Sequence, residues 1–265
     1  MNKRFAIMIS MAAAVSAALI VSGLTVYADG GGGGHDRGPC GQVPSYSELK
    51  TALIAARGVA NGGFNLDMWG SIVNRDGIVC AVAFTGGDRG AEWPGSRVIS
   101  AQKANTANSF SLPGLALSTA NLWAAVQPGG SLFGLQESNP VDTGAAYKGP
   151  SEKFGTSNDP LVGNKIGGVN VFGGGLALYN SAGTLVGAVG VSGDTSCADH
   201  NIAWRTRNSL NMDFVPAGVG AMKDNINYQG LVPVPSLAND FSHPICKIAG
   251  VDHVSAISAA LPPTR

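Results

Sequence analysis

The sequence predicts an α+β fold: one antiparallel sheet with helices packed against it. Two strand pairs are each joined by a turn ending in glycine, Asn74-Arg75-Asp76-Gly77 and Asn180-Ser181-Ala182-Gly183, and Asp-Gly supplies the positive φ of a tight hairpin. Each pair is followed by a helical pattern, the alternation expected of an α+β chain. With 38 Gly and 14 Pro, the chain favours turns and close backbone approaches over long helices.

At the N-terminus, Lys3 and Arg4 precede an apolar run from Phe5 to Val26 that closes on the small-residue pattern Val26-Tyr27-Ala28. This order of charge, apolar stretch and cleavage pattern predicts a signal peptide over 1–28, cleaved after Ala28. Ser10, Ser16, Ser22, Gly23 and Thr25 dilute the run against a membrane anchor, and Gly30 to Gly34 follow at once, so no span is expected to remain after cleavage. The expected location is periplasmic or extracellular. Over the whole chain 17 basic residues balance 17 acidic ones, and losing Lys3 and Arg4 leaves the exported form nearly neutral, which speaks against a nucleic-acid partner.

Beyond a glycine-rich linker at 29–42, Ser45 and Glu48 form a capping box behind Pro44, and apolar residues at Tyr46, Leu49, Leu53, Ala56 and Ala60 predict a helix from Ser45 to Ala60. The first strand pair spans Met68 to Val73 and Ile78 to Phe84. A helix from Pro94-Gly95-Ser96 to Phe110 carries Ala101, Ala104 and Ala107 at a spacing that lets it lie close against a sheet. A shorter helix is expected from Ser118 to Val126, stopped by Pro128-Gly129-Gly130, and then a long loop insertion at 129–166. The second pair spans Leu176 to Tyr179 and Thr184 to Val191, after which Ser196 and Asp199 are expected to cap a helix to Leu210. Pro216, Pro233, Pro235, Pro244, Pro262 and Pro263 predict an extended arm over 213–265, laid on a main domain at 43–212.

Cys40, Cys80, Cys197 and Cys246 are even in number with no C-x-x-C pair. In an oxidising compartment they are expected as two disulfides; of the three connectivities, the favoured ones join Cys40 to one later cysteine and Cys246 to another. A c-type haem attachment needs C-x-x-C-H, which is absent.

Asp76-Gly77, Lys103-Ala104-Asn105-Thr106-Ala107, Gly167-Gly168-Val169, Gly187 to Gly193, and Asp199 followed by Ile202-Ala203 resemble, in that order, the GlcG/HbpS-like family of haem-degrading or haem-binding proteins, and more its secreted haem-binding branch than its cytoplasmic one. The resemblance implies a profilin-like fold of helices on an antiparallel sheet, a homo-oligomer, and a haem or related tetrapyrrole ligand. The glycine linker, the 129–166 insertion, the four cysteines and the proline-rich arm depart from the short members. Where those carry Arg-x-Asp-Gly-Ala, this chain reads Gly87-Asp88-Arg89-Gly90-Ala91.

Haem needs an apolar slot, an axial donor and a cation for its propionates. Among His35, His200, His243 and His253, the sequence favours His200 as axial and metal ligand, because it opens a helix beside Trp204, Arg205 and Arg207. Asp199 is expected to cap that helix and, second, to bind iron. Trp93 belongs to the densest charged and aromatic cluster, Asp88 to Arg97, and Arg97 and Lys103 are the expected propionate cations. No catalytic residue is assigned: Gly190-Val191-Ser192-Gly193 is not G-x-S-x-G, and Gly173-Gly174-Gly175 precedes a strand, so it is no dinucleotide fingerprint. The sequence therefore favours an exported small-ligand-binding protein with haem as cofactor. The alternatives are an exported enzyme, with haem itself as one candidate substrate, and a structural protein.

Overall fold

The computed structural model describes residues 38–231 and 240–265. The segment 1–28 expected to be a signal peptide, most of the expected glycine-rich linker, His35, Pro233 and Pro235 lie outside the described residues.

The capping box forms as predicted, the Ser45 N–H donating to Glu48 Oε2 at 2.7 Å, and α1 (Tyr46–Arg57) follows. It ends three residues before Ala60, where the Gly58 N–H caps the Ile54 carbonyl. The first hairpin is β1 (Trp69–Asn74) with β2 (Val79–Phe84), and Gly77 takes φ 75° in its turn. Next comes α2 (Ser96–Phe110). The helix expected from Ser118 is instead a run of turns ending in a 3-10 turn at Ala124–Val126. Its polar side chains capture the local backbone: Asn121 Oδ1 accepts both the Ser118 N–H and the Ser118 hydroxyl, and Thr119 Oγ1 accepts the Gly175 N–H.

The expected long loop holds α3 (Leu135–Ser138), α4 (Thr143–Ala146) and a 3-10 turn at Ser151–Lys153. It is anchored by Ala146, Leu161 and Ile166, buried in the α2 side of the core. The second hairpin is β3 (Gly175–Tyr179) with β4 (Leu185–Ser192), followed by α5 (Ser196–Ser209). Thr195, not Ser196 or Asp199, caps α5, its hydroxyl accepting the Ala198 N–H. The C-terminal residues add a two-stranded ribbon, β5 (Lys247–Ile248) with β6 (Val251–Asp252), and α6 (Ser255–Ala259).

The four strands form one antiparallel sheet in the order β2-β1-β4-β3. Side chains alternate along β1. Ile72 joins Leu49, Leu53, Ile202 and Trp204 in the layer of α1 and α5, while Trp69 and Val73 join Val98, Ala101, Ala104 and Ala107 in the layer of α2. The small face of α2 seats it so closely that a Cβ on Gly190 would lie 1.9 Å from the Ser100 carbonyl oxygen. Both sheet edges are covered: the Val79 N–H donates to Asn164 O on one side, and the Tyr179 N–H donates to Met212 O on the other.

Disulfides join Cys40 to Cys80 and Cys197 to Cys246. The first ties the N-terminal segment to β2, the second ties the C-terminal segment to α5. Among the described residues, no helix is long and apolar enough to cross a membrane.

Candidate functional site

The residues singled out in the sequence part company in three dimensions. Lys103 and Asp199 meet as a buried ion pair, Lys103 Nζ also donating to the Val191 carbonyl at 3.1 Å. Asp199 Oδ1 accepts the Asp194 N–H at 2.9 Å, so the carboxylate pins the β4–α5 turn rather than capping the helix. Burial pushes its pKa up to about 6, against the pull of the Lys103 charge. Arg97 lies under the 129–166 insertion, where its guanidinium pairs with Asp159, donates to Ala146 O at 2.9 Å and stacks 3.6 Å from the centre of the Phe154 ring. Both expected propionate cations are therefore committed within the fold.

His200 is fully buried, against its expected place as an accessible ligand. Its Nε2 lies 3.1 Å from the Ile226 amide nitrogen and 3.1 Å from Asn225 Oδ1, because the C-terminal arm packs over this face of α5. Burial lowers its pKa to about 3, so the ring is neutral. It belongs to no cluster of metal donors among the described residues; the group that does assemble is Cys197, His243 and Cys246.

Trp93 alone of the expected ligand residues stands at the surface. It meets the exposed Phe64 edge to face, ring centres 6.4 Å apart. Directly before it, Glu92 is buried, its Oε1 accepting the Trp69 indole N–H at 2.6 Å while Oε2 has no protein hydrogen-bond partner. Burial pushes the Glu92 pKa up to about 7.

Phe64 sits in a loop built by backbone chemistry. Gly62 and Asn65 adopt φ of 83° and 62°, which glycine and asparagine tolerate best. The Asp194 carboxylate accepts the N–H groups of Phe64 and Leu66 at 2.8 and 3.1 Å, and the Arg57 side chain donates to the carbonyls of Asn65 and Leu66 at 2.7 and 3.2 Å. Between this loop and α5 lies an open groove of about 390 Å³, lined by Arg57, Val59, Asn61, Leu66, Asp194 and Ile202. The exposed His253 runs beside it: a Cβ on Gly62 would lie 2.5 Å from the His253 carbonyl oxygen.

A larger hollow of about 500 Å³ lies at the start of α1, between Val43, Thr51 and Met212. Glu48 is the charged side chain in its lining. The groove combines apolar walls with one charge of each sign, Arg57 and Asp194; Arg57 Nε also lies 3.6 Å from Asp67 Oδ1, and Phe64, which meets Trp93, stands between the lining residues Gly63 and Asn65. Sequence reading passed over Arg57 and Phe64; the lone aromatic in Gly62-Gly63-Phe64-Asn65 was the available signal.

A family model for haem degrading HbpS-like proteins matches residues 47–207. No curated protein matches the chain. Among solved structures, the Klebsiella pneumoniae protein ORFY is 24% identical, with 62% of this chain and 86% of that one covered at a TM-score of 0.42. A PduOC:heme complex is 22% identical, with 62% and 91% covered at a TM-score of 0.43.

Proposed function

The chain belongs to the HbpS-like family of haem degrading proteins, and from that premise we propose that it is an exported protein that binds haem or a related tetrapyrrole in the groove beside Phe64. The family match over 47–207 carries the reading. Residues in and beside the groove support it: Phe64, between the lining residues Gly63 and Asn65, meets Trp93 as aromatic surface; Arg57 in the lining, which also faces Asp67, is the cation assigned to a propionate; and His253, whose backbone passes Gly62, is the imidazole assigned to the iron. His200 and Lys103 serve the interior and stand outside the proposed site. Export is supported by the charge, apolar run and cleavage pattern over 1–28 and by the two disulfides. Self-association belongs to the same reading and is checked by light scattering.

The test is a haemin titration followed in the Soret region on the wild type, His253→Ala, Arg57→Ala and His200→Gln. A saturable shifted band that is lost or moved in His253→Ala, weakened in Arg57→Ala and kept in His200→Gln is the expected result. A band indifferent to His253 removes that ligand, and absence of any saturable shift removes the haem reading. The family description favours turnover as a second reading; loss of the Soret band on adding a reductant, with ring-opened product, distinguishes it from binding alone.

A further inference from the structure

At the start of α5 three donors converge that the groove does not use. Cys197, His243 and Cys246 each place a ligand atom within 4.8 Å of the others, with Cys197 and His243 buried and Cys246 half-buried. The Ser196 hydroxyl lies 3.3 Å from Cys246 Sγ and 3.3 Å from His243 Nε2, so it bridges two of the three. The other ring nitrogen, Nδ1, is 2.7 Å from the Pro244 carbonyl oxygen. Nδ1 is also 3.9 Å from Cys197 Sγ, and a proton held on it by the carbonyl leaves the Nε2 lone pair on the side of the Ser196 hydroxyl, the arrangement by which a backbone carbonyl fixes the tautomer of a metal-bound histidine. In the folded chain the two sulfurs are joined as a disulfide, which ligates nothing.

We propose that reduction of the Cys197–Cys246 disulfide opens a Cys2His site for a thiophilic divalent cation of the zinc class, with an open fourth position beside Ser196. The reductant is a dithiol. Its thiolate attacks the half-buried Cys246 sulfur, the disulfide bond breaks, and Cys197 leaves as a thiolate at the N-terminus of the 14-residue α5, where the helix dipole favours negative charge. The second thiol of the reductant then closes its own disulfide and releases Cys246. Two electrons and two protons have passed to the protein, and a divalent ion binding both sulfurs as thiolates expels two protons. Cys246 Sγ already accepts the Cys197 N–H at 3.2 Å, a bond that favours its thiolate. Three protein ligands with a fourth position open is the pattern of zinc sites that exchange ligands, rather than of closed structural ones.

The experiment uses the purified protein, reduced with a dithiol under argon, freed of reductant and titrated with Co²⁺. The expected result is a thiolate-to-cobalt charge-transfer absorption that saturates at equimolar metal, is displaced by Zn²⁺, and is absent from the oxidised protein. His243→Ala should weaken cobalt binding by about tenfold or more, whereas Cys40→Ala/Cys80→Ala keeps it. Unchanged affinity in His243→Ala, absorption that depends on Cys40 and Cys80, or no binding by the reduced chain overturns the proposal. So does binding accompanied by loss of the helical circular dichroism of the oxidised protein. No haem enters this experiment, so its outcome is independent of the groove.

Discussion

Lys103 Nζ lies 2.7 Å from Asp199 Oδ2, and neither side chain is more than 3% exposed. The pair links the middle of α2 to the first turn of α5 through the sheet end, and each charge is tolerated there because the other is present. Removing one partner strands the other. Lys103→Met should therefore cost about 3–5 kcal/mol of unfolding free energy. The double variant Lys103→Met/Asp199→Asn, which removes both charges and keeps an acceptor for the Asp194 N–H, should recover most of that loss. Urea denaturation of the two variants measures it; equal loss in both would mean that packing, not charge, holds this place.

Gly190 is fixed by space. With the Ser100 carbonyl 1.9 Å from where a Cβ would sit, Gly190→Ala forces α2 off the sheet. The expected loss is about 3 kcal/mol or more, at the top of the range for overpacking. Gly87 has nothing within 4 Å of a Cβ, so Gly87→Ala is the matched control and should leave the thermal midpoint unchanged.

Glu92 makes stability depend on pH in a direction opposite to most carboxylates. Its folded pKa is raised from 4.5 to about 7 by burial, so the folded state holds the proton more tightly than the unfolded chain. The stability this contributes is complete below about pH 4.5 and is lost as pH rises through about 7, up to roughly 3 kcal/mol. Glu92→Gln removes this loss while keeping an acceptor for the Trp69 indole. The stability difference between variant and wild type should widen in the variant's favour from about pH 4.5 to pH 7; a constant difference across that window would refute the assignment.

The Cys40–Cys80 disulfide closes a segment 40 residues long. Chain entropy alone assigns such a crosslink about 4 kcal/mol. Cys40→Ser/Cys80→Ser should lower the unfolding free energy by about 2–4 kcal/mol without altering the far-ultraviolet circular dichroism of the folded state.

Both hairpins were legible in the sequence because their determinants are local: an alternating run, a glycine at a positive φ, a second run. The alanine face of α2 was legible for the same reason. The helix expected at Ser118 was not, since what defeats it is the reach of Asn121 and Thr119 for backbone groups, Thr119 for one in β3. The role of Asp199 was misread because a cap and a buried ion-pair partner look alike at the start of a helix, and only the fold brings Lys103 to it. His200 reads as an accessible residue until the arm from 225 onward is laid over it. The groove is the least legible feature. It depends on the loop after α1 meeting Asp194 and the α5 residue Ile202, and on the chain at His253 passing Gly62, contacts between segments that nothing in composition pairs.

The place of Cys40 has a mechanical consequence. α1 and β1 both lie inside the covalent ring that Cys40 and Cys80 close. Tension applied to the residues before Gly38 is delivered through sulfur to β2 at the sheet edge, and the helix just after the linker carries none of it. A pull on the leading segment thus cannot peel α1 from the sheet. It enters the fold at β2, through the Cys40–Cys80 bond, and loads the pairing of that strand with β1.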